Sequence, residues 1–306
     1  MQEKDKMSME GFLKCVRLDL EQKLGTDYLV EIHRVVKIND TVLHGITARK
    51  EKETIAPTIY LNNAYADYLM GKTSLADVEA YILENMDVHM DKCNKTEIGR
   101  IMDFESIKGN IYYRLVSLER NKEYLKDVPY IPFLDMAVVF YYLVFEDVLG
   151  VASGKITYQE LSHWGISVDE LYDTAKENTP GLFPVCMEPL MDAIIKQMGD
   201  VPPDGLESAG CNMYILTNQK GLNGAAAILY DGVLEKYAYE LDCDFYILPS
   251  SIHETMLVPV EETDEGQLPF LKGMVREANA TAVMPMDLLT DSVYRYDWEQ
   301  NKIFIM

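Results

Sequence analysis

"YLVEIHRVVKINDTVLHGITAR", Tyr28 to Arg49, sets two runs rich in β-branched residues on either side of Asn39-Asp40. Such runs, hinged on residues that tolerate positive φ, predict an antiparallel hairpin. With Asn39-Asp40 as a two-residue loop, Val30, Ile32, Val36, Ile38 and Leu43 share the core face, while Glu31, His33, Val35, His44 and Ile46 share the other. Just upstream, "MEGFLKCVRLDLEQKLG" spaces Phe12, Leu13, Val16, Leu20 and Leu24 along one face of a helix that closes on Gly25. An N-terminal helix followed by a hairpin, with no regular βαβ alternation downstream, points to an α+β fold of mixed and antiparallel sheets with flanking helices.

After Pro57, "TIYLNNAYADYLMG" and "SLADVEAYILENMDVHM" read as two helices, the second capped by Ser74 with Asp77 three residues on. "NIYYRLVS" (110–117) and "MAVVFYYLVF" (136–145) are aromatic and branched, and read as buried strands. "TYQELSHWG" and "SVDELYDTAKENT" read as helices capped by Thr157 and Ser167 and ended by a turn at Pro180-Gly181. Farther on come a strand at "MYILT", an apolar run at "GAAAILY", a helix at "GVLEKYAYELD", a helix at "LPFLKGMVREANA" and a last strand at "KIFIM". The polar stretch 91–103 separates an N-terminal module, 1–92, from a larger α+β body, 93–306, with a single continuous body as the alternative. The Gly-, Pro- and acid-rich segment 199–210 reads as a mobile loop.

The 306 residues carry 28 Lys and Arg against 50 Asp and Glu, a formal charge of −22. That balance disfavours phosphate backbones and anionic membrane surfaces, so neither direct nucleic-acid binding nor membrane association is expected. The longest apolar run, "MAVVFYYLVF", is half of the roughly 20 residues that a membrane helix needs. Five cysteines, Cys15, Cys93, Cys186, Cys211 and Cys243, are odd in number and widely spaced. With no C-x-x-C and no leader-like N-terminus, they read as free thiols of a cytoplasmic protein.

"TIYLNNAYADYLMGKTSLADVEAYI", "IYYRLVS", "ITYQELSHWGISVDELYDTAKENT", "AAAILYDGVLEKYAYELDCDFYILPSSIHETMLVP" and "MDLLTDSVYRYD" together resemble an uncharacterised bacterial family, a domain of unknown function found in anaerobic gut bacteria. A broader bacterial family of unassigned function is more distantly similar. It carries a Trp-x-[ILV]-Ser-x-x-Glu-Leu helix followed by Ala-x-x-Asn, here Trp164 to Leu171 and Ala175 to Asn178, and a Pro-Ser-Arg-Asp turn. In this chain the turn is Pro249-Ser250-Ser251-Ile252-His253-Glu254, without the arginine. The resemblance implies a shared architecture and transfers no catalytic residue.

The richest chemical palette is "DFYILPSSIHETMLVP" (244–259), where Ser250, Ser251, His253 and Glu254 could form a hydrolase set, with Asp291 as another acid. Along a strand, however, Ser251 and His253 stand roughly 7 Å apart on one face, and no G-x-S-x-G elbow is present. A turn begun by Pro249, its amides satisfied by the serines, accounts for the same residues. His33 and His44, diagonal across the hairpin at roughly 7–8 Å, could share a metal with Glu31, although a third ligand is not evident. His89 and His163 stand alone. "QKGLNGAAA" (219–227) lacks the phosphate-loop pattern and reads as a tight turn, and "EETDEG" (261–266) lacks the alternating ligands of a calcium loop.

The twenty tyrosines pack well in strands, yet Tyr60, Tyr65 and Tyr68 on the early helix could present a protein interface. The leading expectation is a non-catalytic binding or regulatory protein, its partner another protein or a small ligand, with no cofactor implied. A hydrolase built on Ser250 or Ser251 with His253 is the alternative. The third reading is an acidic mimic of DNA that inhibits a DNA-binding protein.

Overall fold

The computed structural model describes residues 7–50, 58–90, 103–147, 150–198, 213–260 and 265–306. The stretches 91–102 and 199–212, with Cys93, Cys211, the sequence boundary at 92/93 and most of "EETDEG", lie outside the described residues. The chain divides into two compact units, Met1–Ile101 and Met102–Met306.

The first unit starts with helix α1 (Met9–Leu24), whose N-cap Ser8 accepts the Gly11 amide and whose Gly25 closes the C-terminus at φ 77°. Strands β1 (Tyr28–Val36) and β2 (Val42–Lys50) pair antiparallel, and β3 (Ile59–Tyr60) adds to β2. Helices α2 (Asn62–Leu69) and α3 (Leu75–Met90) follow. Phe12, Leu13, Val16 and Leu20 of α1 pack with Val30, Ile46, Ala48, Leu61, Val78 and Ile82 in one core. Glu79, buried on α3, takes Lys23 as its ion partner.

The hairpin forms, but its register corrects the expected faces. Its loop is Ile38-Asn39-Asp40, with Asn39 at φ 58° and Asp40 at φ 48°, and the Lys37 amide donates to the Thr41 carbonyl at 2.9 Å. Three loop residues in place of two shift the pairing by one position, and a one-residue shift turns every side chain of one strand to the opposite face. Val30 and Ile32 therefore share the core with Ile46 and Ala48, not with Leu43.

In the second unit, short α4 (Phe104–Ile107) leads into β4 (Ile111–Ser117). Then come β5 (Tyr130–Phe133), β6 (Met136–Asp147) and β7 (Gly150–Lys155), with β4 on one side of β6 and β5 and β7 pairing with it antiparallel. α5 (Tyr158–Trp164) opens on a capping box made by Thr157 and Glu160. α6 (Val168–Leu182) is capped by Ser167 and runs through Pro180 instead of ending there. The missing amide falls in the last turn, where one lost hydrogen bond is cheap and Phe183 N still donates to Thr179 O at 2.8 Å.

Six strands make the second sheet of this unit. They are β8 (Val185–Pro189), β9 (Tyr214–Asn218), β10 (Phe245–Leu248), β11 (Thr255–Pro259), β12 (Tyr294–Asp297) and β13 (Lys302–Ile305), in the order β13-β12-β10-β11-β9-β8. α7 (Leu190–Met198), α8 (Val233–Leu241) and α9 (Gln267–Thr281) accompany them. Phe245, Ile247, Leu257, Tyr294 and Tyr296 face a core shared with β4, β6 and the 3-10 segment Gly224–Leu229, while Tyr246, Leu248 and Val258 pack under Leu271 and Val275 of α9. Covered on both faces, β10 reads as an unbroken apolar run. Asp135, in the β5–β6 turn, ties the two sheets together by accepting hydroxyls from Thr290 and Ser292 at 2.8 Å each and from Tyr294. Burial, with that carboxylate adjacent, pushes the Tyr294 hydroxyl far above its usual range.

Candidate functional site: an acidic, aromatic cleft

The segment Pro249–Glu254 links β10 to β11 as a turn braced from three sides. Ser251 is buried, and its Oγ accepts the His253 amide at 3.0 Å. The Ile252 amide donates to Asp287 O at 2.8 Å, and Leu289 N donates to Ser250 O at 3.0 Å. His253 Nδ1 accepts the Asn223 amide at 3.2 Å, which places the ring proton on Nε2, 3.4 Å from Asp287 Oδ1. Both ring nitrogens are thus engaged away from the serines, and Glu254 is exposed. Asp291 pairs with Arg120 at 2.8 Å, not with this histidine. Ser250, Ser251, His253 and Glu254 are neighbours in the fold, but no serine oxygen lies in hydrogen-bond contact with the His253 ring.

The shifted hairpin register puts His33 opposite Gly45 and His44 opposite Arg34, so the two histidines occupy opposite faces and their expected shared face is corrected. His33 Nε2 meets Thr47 Oγ1 at 2.8 Å, and Glu31 lies 3.7 Å from Arg49. Among the described residues, no three His, Cys, Asp or Glu side chains converge as a metal would need. Tyr60, Tyr65 and Tyr68 also separate. Tyr65 and Tyr68 lie against Phe12, each with ring centroids 5.3 Å away, and the Tyr65 hydroxyl donates to Met7 O. Tyr60 is on β3, not on the helix, beneath Lys37 Nζ at 5.2 Å.

A concave site that sequence reasoning missed lies beside α8. The turn Tyr230–Gly232 enters this helix with Gly232 at φ 73°, and Leu234, Tyr237 and Ala238 face the core. Glu235, Lys236 and Tyr239 are left on the outer side. There a hollow of about 410 Å³ is walled by Phe133, Tyr230, Tyr296 and Ile303, with Asp231, Glu235 and Lys302 at its polar rim. A neighbouring hollow of about 380 Å³, between Tyr239 and Trp298, shares Gly232 and Glu235 with the first.

Tyr239 is 74% exposed and meets the Trp298 ring edge-on, with centroids 6.3 Å apart. Asp231 pairs with Lys176 at 2.9 Å and Lys236 lies 3.7 Å from Glu240, whereas Glu235 has no ion-pair partner among the described residues. Burial, then the Glu235, Asp244 and Asp297 carboxylates, push the Tyr296 hydroxyl upward. Uncommitted carboxylate and aromatic faces together are what a cationic group requires.

Fold and cleft define an α+β protein of two units with antiparallel sheets and an open recess walled by aromatic residues, with Glu235 at its rim. Residues 9–298 match the model of a family of unknown function (DUF5688), and the chain belongs to that family. No curated protein and no solved structure matches the chain. Among the described residues, no helix is long and apolar enough to cross a membrane.

Proposed function

We propose that this chain is a non-catalytic binding protein that receives a lysine- or arginine-bearing segment of a partner protein in the cleft beside α8. The carrying observation is Glu235, without an ion partner among the described residues, on the rim shared by two hollows beside the Tyr239–Trp298 pair. A cation seated there meets a carboxylate beside an aromatic pair, and contact with a ring face is worth about 0.5–2 kcal/mol. The net charge of −22 draws such a segment in from a distance. The serine-histidine turn supports the non-catalytic side of this reading, because Ser251 Oγ accepts the His253 amide while the His253 ring is engaged by the Asn223 amide and Asp287 and not by a serine hydroxyl.

Titration with a fluorescent lysine- and arginine-rich oligopeptide tests the proposal. Glu235→Gln and Tyr239→Ser should each weaken binding about three- to tenfold, the range that 0.7–1.4 kcal/mol gives. Glu105→Gln removes the same charge outside the cleft and should change affinity by less than about twofold, because exposed charges are screened. Equal affinity in all four proteins would mean diffuse attraction to an acidic surface and would overturn the cleft.

A further inference from the structure

Arg114 lies at the centre of β4, in a strand otherwise made of buried residues. Its guanidinium carbon sits 3.8 Å from the Tyr141 ring centroid and 5.2 Å from that of Tyr112. Nη2 donates to the Tyr112 hydroxyl and, at 2.7 Å, to Ser153 Oγ. Nε is fully buried with no hydrogen-bond partner. Among the described residues no carboxylate pairs with this cation, although the chain holds 50 Asp and Glu.

A half-buried cation left without an anion is costly, and five N–H donors served only by two hydroxyls leave it under-satisfied. The surroundings hold it in place nonetheless. Tyr112 packs on Phe183 with centroids 4.6 Å apart, Lys220 stands 4.6 Å over that ring, and Lys155, in register with Tyr141, stands 5.3 Å over Tyr124. Three cations are thus threaded on one run of aromatic rings. Arg114, Ser153 and Lys155 are each partly exposed, so a small solute can reach them.

We infer that Arg114 anchors a binding site for a small oxyanion, the phosphate or carboxylate group of a ligand, assisted by Lys155 and the Ser153 hydroxyl. Nη1, which neither hydroxyl engages, is left to donate to such a group, and stacking on Tyr141 holds the planar guanidinium in place before the ligand arrives. The site stands apart from the cleft beside α8: different residues build it, and it takes the opposite charge.

Thermal unfolding in inorganic phosphate, in malonate and in chloride at matched ionic strength tests the inference. Phosphate, malonate or both should raise the Tm saturably above chloride, and the arm that responds identifies the group. Arg114→Met should raise the half-saturation concentration at least about tenfold. Should that variant fail to fold, Arg114→Lys, which keeps the charge but loses the planar guanidinium stacked on Tyr141, should raise it at least about fivefold, with folding confirmed by circular dichroism. No saturable rise over chloride in either arm overturns the site, as does an unchanged half-saturation in a folded Arg114 variant.

Discussion

A Cβ added to Gly224 would lie 2.1 Å from Thr217 Oγ1, 2.5 Å from the His253 carbonyl oxygen and 2.8 Å from the Asn218 amide nitrogen. Two of those atoms are backbone and cannot swing aside. Gly224→Ala should therefore cost about 1–3 kcal/mol, as overpacking of a closed site does, seen as a lower urea midpoint with unchanged slope. The tight turn at "QKGLNGAAA" was legible from its glycines; its docking under His253 was not, because the two segments are distant in sequence. The two serines of the Pro249–Glu254 turn differ likewise. Ser251→Ala, at a buried serine, strips the part-buried His253 amide of its acceptor and should cost about 1–2 kcal/mol, whereas Ser250, which contributes its carbonyl, should tolerate alanine within about 0.5 kcal/mol. Equal losses in chemical denaturation would contradict that division.

Elements were read well wherever local chemistry sets them. Ser74, Thr157 and Ser167 cap their helices through side-chain oxygens, and Phe12, Leu13, Val16 and Leu20 bury the α1 face that their spacing marks. Register is a different quantity, fixed by one residue more or less in a loop. Asn39 and Asp40 do take positive φ, as the sequence suggests, yet Ile38 joins them, and parity decides which face each side chain of β2 meets. The observed pairing sets Glu31 opposite Thr47, while a two-residue loop would set it opposite Ala48. Mild oxidation should thus join Glu31→Cys to Thr47→Cys and leave Glu31→Cys with Ala48→Cys reduced, as peptide mass mapping would report. The reverse outcome contradicts the register.

At the scale of the molecule, the α+β class was legible because antiparallel connection and missing βαβ alternation are properties of sequence order. The cleft was not, since Phe133, Tyr230, Glu235, Tyr296, Trp298 and Ile303 meet only after β12 and β13 complete the sheet beside α8. Arg114 left a fainter trace, a lone charge inside the apolar run "IYYRLVS". Acidity was plain in the composition, but which carboxylate lacks a cation depends on the ion pairs, and these leave Glu235 open while engaging Asp231 and Asp291. Amide hydrogen exchange with and without the lysine- and arginine-rich oligopeptide tests the cleft most directly. Slowed exchange should centre on Tyr230–Leu241 and on Tyr294–Ile305, and Glu235→Gln should diminish it; protection centred elsewhere, or unchanged in the variant, would contradict the account.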